Sequence, residues 1–168
     1  YWGPKLIRNF RALPECILSH VCDTNEARLA SIEYSFPEIN LVRNYDDLLA
    51  AVDAVVIATP IGTHYALARQ ALLAGKHVFI EKPITRSVTE AQALVSIAGM
   101  MGVTLMVGHT FLFSPAVRDM KKLVDGGTLG GIRYISARRL SPGIFQKNIN
   151  VTWDLAPHDI SIILHLLG

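Results

Sequence analysis

Asp53-Ala54-Val55-Val56-Ile57-Ala58-Thr59-Pro60 and His77-Val78-Phe79-Ile80-Glu81-Lys82-Pro83 decide the fold. The first holds a run apolar at successive rather than alternate residues, the pattern of a parallel strand covered on both faces, and the second is the next strand. Between them Thr63 is read as the N-cap of a helix, and Gly75 as the residue that ends it in a left-handed turn.

Working towards the N-terminus, Asn40-Leu41-Val42 reads as a minor strand and Asp46-Asp47-Leu48-Leu49 as a brief helix start. Cys16 to Cys22 is a strand, and Asp23-Thr24 caps a helix running to Tyr34 with Ala27, Leu29, Ala30 and Ile32 on its apolar side. Towards the C-terminus, Ser87 to Met101 is a helix, Thr104 to Val107 a strand and Pro115 to Val124 a helix. This alternation predicts an α/β fold, a doubly wound parallel sheet with helices on both faces. The pattern changes after Gly126-Gly127 and Gly130-Gly131. A longer strand from Ile132 to Leu140, an irregular loop with Pro142 and Gly143, and a helix from Trp153 to Leu167 follow. We read residues 1–112 as one domain and 113–168 as the start of a second. Tyr1-Trp2-Gly3-Pro4-Lys5 reads like the middle of a motif, and Leu166-Leu167-Gly168 stops at a helix end. The chain is therefore expected to be a fragment at both ends.

The 168 residues are 51% hydrophobic and 18% charged, a composition that builds a core rather than a disordered chain. The 16 basic and 14 acidic side chains are scattered, and their net +2 forms no stripe that would follow a phosphate backbone. Nucleic-acid and membrane partners are not expected, since no apolar run approaches the roughly 18 residues of a span. Cys16 and Cys22 on one extended strand would stand about 20 Å apart, beyond disulfide reach. Reduced thiols and the absence of a secretory leader at Tyr1 suggest a cytoplasmic protein.

Three constellations carry candidate chemistry. Gly3 stands where the third glycine of a dinucleotide fingerprint falls if a strand and two glycines precede it, with pyrophosphate at the helix N-terminus. Asp23 lies about 20 residues on, where an acid meets the ribose hydroxyls; it is equally placed to be a plain N-cap. Lys82 of Glu81-Lys82-Pro83 ends a parallel strand at the carboxyl edge, where a movable cation can polarise a hydroxyl or carbonyl oxygen. Pro83 allows a cis bond, and the alternative for the tripeptide is a surface ion pair. Asp154 and His158, four apart, share a helix face, so a carboxylate can orient an imidazole for proton transfer. Pro157 is comfortable in a first turn, which would start the helix near Asp154 and place His158 at its positive end. The alternatives are an N-cap at Asp154 and a buried, satisfied His158. Of the other histidines, His20 and His77 are strand residues, and His64 and His109 follow strand ends where they could line a cleft, His64 more simply as structure. His165 completes the set; none shows metal-ligand spacing with the cysteines, so no metal is expected. Arg138 and Arg139 would point to opposite faces of a regular strand, so one could meet a substrate; otherwise both are solvated.

Taken together, the chain resembles the Gfo/Idh/MocA oxidoreductases. The matching stretches are Tyr1 to Leu6, Val55 to Pro60 with Thr63-His64, Ala74 to Pro83, Val107-Gly108-His109, Gly127 to Gly130 and Trp153 to Asp159. The resemblance implies a truncated Rossmann domain lacking its first strand, then the opening of an α+β catalytic domain built on an open, mainly antiparallel sheet. It implies Lys82, Asp154 and His158 as the catalytic group. Cofactor contacts would come from Trp2, Gly3, Asp23, Thr59, Pro60, His64, Glu81 and Lys82, with NAD as cofactor and NADP possible. Phe111-Leu112-Phe113-Ser114-Pro115 lacks the arginine many members carry before the phenylalanine. With Gly108-His109-Thr110-Phe111 and the Trp153 to His158 segment, it looks like the branch acting on nucleotide-linked sugars, such as UDP-N-acetylglucosamine 3-dehydrogenases. The expected activity is hydride transfer between the nicotinamide and a secondary alcohol carbon of a sugar, by a homo-oligomer when full length. A free polyol such as inositol, and a non-catalytic dinucleotide-binding sensor, are the alternatives.

Overall fold

The computed structural model describes residues 2–139 and 150–168. In chain order the elements are α1 (Gly3–Arg11), β1 (His20–Cys22), α2 (Glu26–Ser35), β2 (Asn40–Val42), α3 (Tyr45–Ala51), β3 (Ala54–Ile57) and α4 (Ile61–Leu73). They continue with β4 (His77–Ile80), α5 (Val88–Met101), β5 (Leu105–Val107), a 3₁₀ turn over Thr110–Phe113, α6 (Pro115–Asp125) and α7 (Val151–Leu167). The chain divides into two compact units. The first comprises Tyr1–Ile80 with Ile84–Met106, the second Glu81–Pro83 with Val107–Gly168.

In the first unit β1 and β2 pair in parallel from His20 opposite Asn40 to Cys22 opposite Val42. β3 and β4 pair in parallel from Ala54 opposite His77 to Ile57 opposite Ile80, and β5 lies on the far side of β4. The Val78 amide donates to the Thr104 carbonyl at 2.8 Å and the Thr104 amide to His77 Nδ1 at 3.0 Å, which fixes where β5 begins. The α/β architecture is the expected one. Its strands form two ladders, β1–β2 and β3–β4–β5, rather than one continuous sheet.

The core sits on one face of β3 and β4. Val55, Ile57, Val78 and Ile80 are buried beneath Ala68, Ala71 and Leu72 of α4 and Leu94 and Ala98 of α5. Removing each of the larger side chains from water contributes about 1.5–3 kcal/mol. The opposite face of β3, expected to be equally buried, is half-buried at Val56, and that of β4 is half-buried at Phe79. Phe10 of α1 meets the Phe79 ring edge-on at 5.9 Å there.

Helix ends follow the chemistry of their caps. The Ser87 side chain accepts from the Glu90 amide at 3.2 Å and starts α5. Gly75, at φ +72°, ends α4: its amide donates to the Leu72 carbonyl and that of Lys76 to Ala71, closing orphan carbonyls with a turn that favours glycine.

Five expectations are corrected. The strand expected from Cys16 is only His20–Cys22, because the ladder with β2 begins at Ser19, whose carbonyl accepts the Asn40 amide. Ile17 is left 92% exposed, and both cysteines are free. α2 is capped by Asn25, which accepts from the Arg28 amide, while the Asp23 carboxylate turns the chain into it by accepting the Asn25 amide at 2.9 Å. α4 starts before Thr63: Pro60, with φ already fixed at −60°, is its N-cap, and the Thr63 hydroxyl donates to the Pro60 carbonyl. α7 is capped by Asn150, which accepts the Trp153 amide at 3.0 Å, so Pro157 lies inside the helix rather than in its first turn. Residues 132–139 form no strand. Leu140 of that expected strand, and the loop with Pro142 and Gly143, lie outside the described residues.

Candidate active site

Glu81-Lys82-Pro83 follows β4 directly, with the Lys82–Pro83 bond cis, and belongs to the second unit together with α7. Pro157 has no N–H to offer the Trp153 carbonyl one turn back. The next carbonyl, that of Asp154, accepts the Lys82 ammonium at 2.9 Å. The same ammonium donates to Asp154 Oδ1 at 3.0 Å. The two side chains are only 13% and 23% exposed, so the pair is largely shielded and its hydrogen bonds are charge-assisted. Lys82 is held by one residue through both backbone and side chain. Asp154, with Asn150 supplying the cap, is freed from the capping role that was its alternative.

His158 lies two turns into α7, beyond the first turn where the helix dipole acts. Its ring meets Phe111 edge-on, centroids 4.7 Å apart at 72°. Burial pushes its pKa down to about 4, and the Lys82, Arg139 and His109 charges press the same way against an opposing Asp159. The neutral form expected from a helix terminus is therefore produced instead by burial and neighbouring cations. At neutral pH this imidazole is unprotonated and able to accept a proton. The expected Asp154–His158 bond is replaced by Asp154–Lys82: His158 Nδ1 is buried without a hydrogen-bond partner among the described residues, and so is Nδ1 of His109.

Three more residues form this surround: Asp159 had no role assigned from sequence, while His109 was expected as a cleft residue and Arg139 as one that could meet a substrate. Arg139 forms a fork with Asp159 and lies with its guanidinium 4.6 Å from the Phe111 ring centroid. Asp159 is pulled below the usual carboxylate range by that hydrogen-bonded guanidinium. His109, at the start of the 3₁₀ turn, is lowered by burial. Arg139 and Asp159 are 20 residues apart and obey no helical or strand spacing; the doublet Arg138-Arg139 was the one available signal.

The remaining candidates belong to the first unit, apart from Glu81. Asp23 closes β1; its Oδ2 accepts Arg28 Nη1 at 3.4 Å. Thr59 and Pro60 end β3 and open α4, where the Thr59 and Thr63 hydroxyls are 2.8 Å apart. His64 is 2% exposed, and its Nε2 donates to the Thr59 carbonyl at 2.8 Å, so it fixes the strand end from beneath. α1 opens at Trp2-Gly3 with no side-chain cap and no acidic residue in its first turn. A Cβ on Gly3 would meet nothing within 4 Å. An uncapped, unhindered helix start of this kind suits a dinucleotide's phosphates, so the residues present fit the implied cofactor. Glu81 is buried, its Oε2 3.3 Å from the Lys82 amide. Among the described residues no group of three or more His, Cys, Asp or Glu could hold a metal, and no helix is long and apolar enough to cross a membrane.

Comparison with known proteins matches residues 1–109 to the model of the Gfo/Idh/MocA oxidoreductase family, NAD-binding Rossmann fold. Over 157 residues the chain is 37% identical to a UDP-N-acetylglucosamine 3-dehydrogenase of Acidithiobacillus ferrooxidans, covering 90% of this chain and 47% of that protein. It is 31% identical to the scyllo-inositol 2-dehydrogenase (NADP(+)) IolW of Bacillus subtilis, over 84% of this chain and 43% of that protein. The crystal structure of GenD2 from gentamicin A biosynthesis in complex with NAD superposes with a TM-score of 0.85 at 25% identity, over all of this chain and 51% of that one. The chain thus spans about half the length of these relatives. With the family model covering most of its length on a fold built of parallel ladders and helices, this chain belongs to the Gfo/Idh/MocA oxidoreductase family and carries its NAD-binding Rossmann fold.

Proposed function

We propose that the protein carrying this chain is an NAD(P)-dependent dehydrogenase acting on a secondary alcohol carbon of a sugar, specifically a nucleotide-linked sugar. Residues 1–112 serve as its dinucleotide-binding domain, and 113–168 open its catalytic domain. The observation that carries this reading is the Lys82 ammonium, held at 2.9 and 3.0 Å by Asp154 in the same compact unit as a neutral His158. Greater identity to the nucleotide-sugar enzyme than to the inositol enzyme supports the nucleotide-linked class.

The bound nicotinamide supplies the hydride chemistry. Lys82, already fixed in direction, places its charge where the substrate oxygen becomes an alkoxide, an interaction strongest in the transition state. The unprotonated His158 imidazole takes the hydroxyl proton. Asp154 acts by holding Lys82, a change from the orienting role towards His158 expected of it. Trp2 and Gly3 at the α1 start, Asp23 at the end of β1, and Thr59 and Pro60 at the start of α4 are the cofactor contacts in the first unit. His64 acts through the Thr59 carbonyl, and Glu81 and Lys82 complete the set. NAD is the preferred cofactor, because the Asp23 carboxylate accepts hydrogen bonds from ribose hydroxyls and repels a 2′-phosphate. The intact protein is a homo-oligomer on the family likeness, and its free cysteines suit the cytoplasm.

The test is absorbance at 340 nm with intact protein, NAD and a panel of UDP-sugars beside free inositol. Turnover on a UDP-sugar is expected. Turnover on inositol alone would refute the nucleotide-linked class, and cofactor binding without turnover on any sugar would point to the sensor.

A further inference from the structure

We propose that Arg139 and Asp159 are positioning residues for His158, their ion pair fixing the guanidinium over Phe111, whose ring packs edge-on against the imidazole. The inference rests on the reading of His158 as the proton acceptor. Its geometry is independent of that reading.

Arg139 Nε is 3.2 and 3.1 Å from Asp159 Oδ1 and Oδ2, and Nη2 is 2.8 Å from Oδ1. Both side chains are about three-quarters covered, at 24% and 26% exposure, so this is no solvated surface pair. A planar fork on a carboxylate has one good orientation, and here it lays the guanidinium 4.6 Å from the Phe111 centroid. Phe111 in turn stands 4.7 Å from the His158 ring, at 72°. The ring's orientation has no other polar anchor at Nδ1, which is buried without a hydrogen-bond partner among the described residues. Arg139, Phe111 and His158 thus form a chain of contacts in which the ion pair secures the outermost member. Asp159 is the next residue to His158 on α7, so the helix carries both the base and the carboxylate that secures its support.

The same pair acts electrostatically. The groups facing His158 are Lys82 from the segment after β4, His109 from the start of the 3₁₀ turn, Arg139, and Asp159 on its own helix; Asp154 is engaged with Lys82. Burial and the cations disfavour the imidazolium, and Asp159 favours it. The two members of one ion pair therefore pull on His158 in opposite directions.

The experiment is an NMR titration of the His158 ring in the intact protein without cofactor or substrate, its resonances identified by their loss in His158→Gln. Arg139→Met removes the cation and leaves the carboxylate, so the midpoint should rise from about 4 towards the ordinary histidine range. Asp159→Asn, nearly isosteric, should hold or lower it. Arg139→Lys keeps the charge but loses the fork and the flat stacking surface. It should leave the midpoint close to the parent value while broadening or displacing the His158 and Phe111 ring signals. An unmoved midpoint in a folded Arg139→Met, or a raised one in Asp159→Asn, overturns the proposal. If Arg139→Met does not fold, Asp159→Asn and Arg139→Lys decide it alone. Because no turnover is read, failure of the dehydrogenase assay and failure of this proposal are separate results.

Discussion

The two compact units spend their buried space differently. In the first, the interior around β3, β4, α4 and α5 is almost entirely aliphatic: Ile57, Leu72, Val78, Ile80 and Leu94 are at most 2% exposed. His64, its buried titratable exception, is tied to a strand-end carbonyl. In the second, buried aliphatic side chains are few, with Val117 and Leu166 the described examples, and the covered groups are charged or titratable. Lys82 with Asp154, Arg139 with Asp159, and two imidazoles with orphan Nδ1 atoms occupy the space. A partly covered polar cluster is a poor way to gain stability, since desolvation offsets most of the attraction. It is a good way to hold charges where water would otherwise screen them. On the proposed function, the aliphatic first unit carries the dinucleotide and the polar second unit supplies the proton chemistry.

The sharpest break in the comparison comes from exchanging the kinds of damage. Leu72→Ala removes a fully buried side chain between α4 and the strands. It should cost about 2–5 kcal/mol of stability, read by denaturant unfolding of the intact protein. Asp154→Asn keeps an oxygen for the Lys82 ammonium, and the Asp154 backbone carbonyl still accepts from it, so this change should cost less stability while lowering turnover. If the Asp154 variant proved the less stable of the two, the division into scaffold and reactive unit would be wrong.

A second effect is smaller and runs with pH. His158 titrates near 4 when folded and near 6.5 as a free side chain, so the unfolded chain takes up a proton that the folded chain refuses. Its contribution to stability is complete above about 6.5 and is lost as pH falls towards 4. His158→Gln should flatten the stability profile in that window, as measured by thermal melts between those limits. An unchanged slope would show that His158 is not the unprotonated group described.

The smallest effect concerns the first unit. Asp23→Ser removes the carboxylate at the end of β1 and leaves Arg28 without its 3.4 Å partner. The ratio of kcat/KM for NAD to that for NADP should fall by about tenfold. An unaltered ratio would remove Asp23 from the cofactor contacts.

The two units also differ in how much of them could be read in the chain. Runs such as Val55-Val56-Ile57 and Val78-Phe79-Ile80, and caps such as Ser87 and Gly75, carry their structure within a few residues, so β3, β4, α5 and the end of α4 were legible. Errors in that unit fell where a competing local choice won, as when Pro60 rather than Thr63 opened α4. In the second unit the types Lys82, Asp154 and His158 were legible as candidates, but their pairing was not. Lys82 reaches Asp154 across 72 residues of sequence, and Arg139 reaches Asp159 across 20. Such partners are set by folding, not by spacing.

The central claim is that Lys82 supplies charge to the developing alkoxide, and it is tested most directly by Lys82→Met in the intact protein, with turnover at 340 nm and cofactor affinity measured on the same samples. Turnover should fall by about 10²-fold or more while NAD binding changes little, because the lost charge matters mainly in the transition state. Turnover near that of the parent protein, with NAD still bound, would contradict the account.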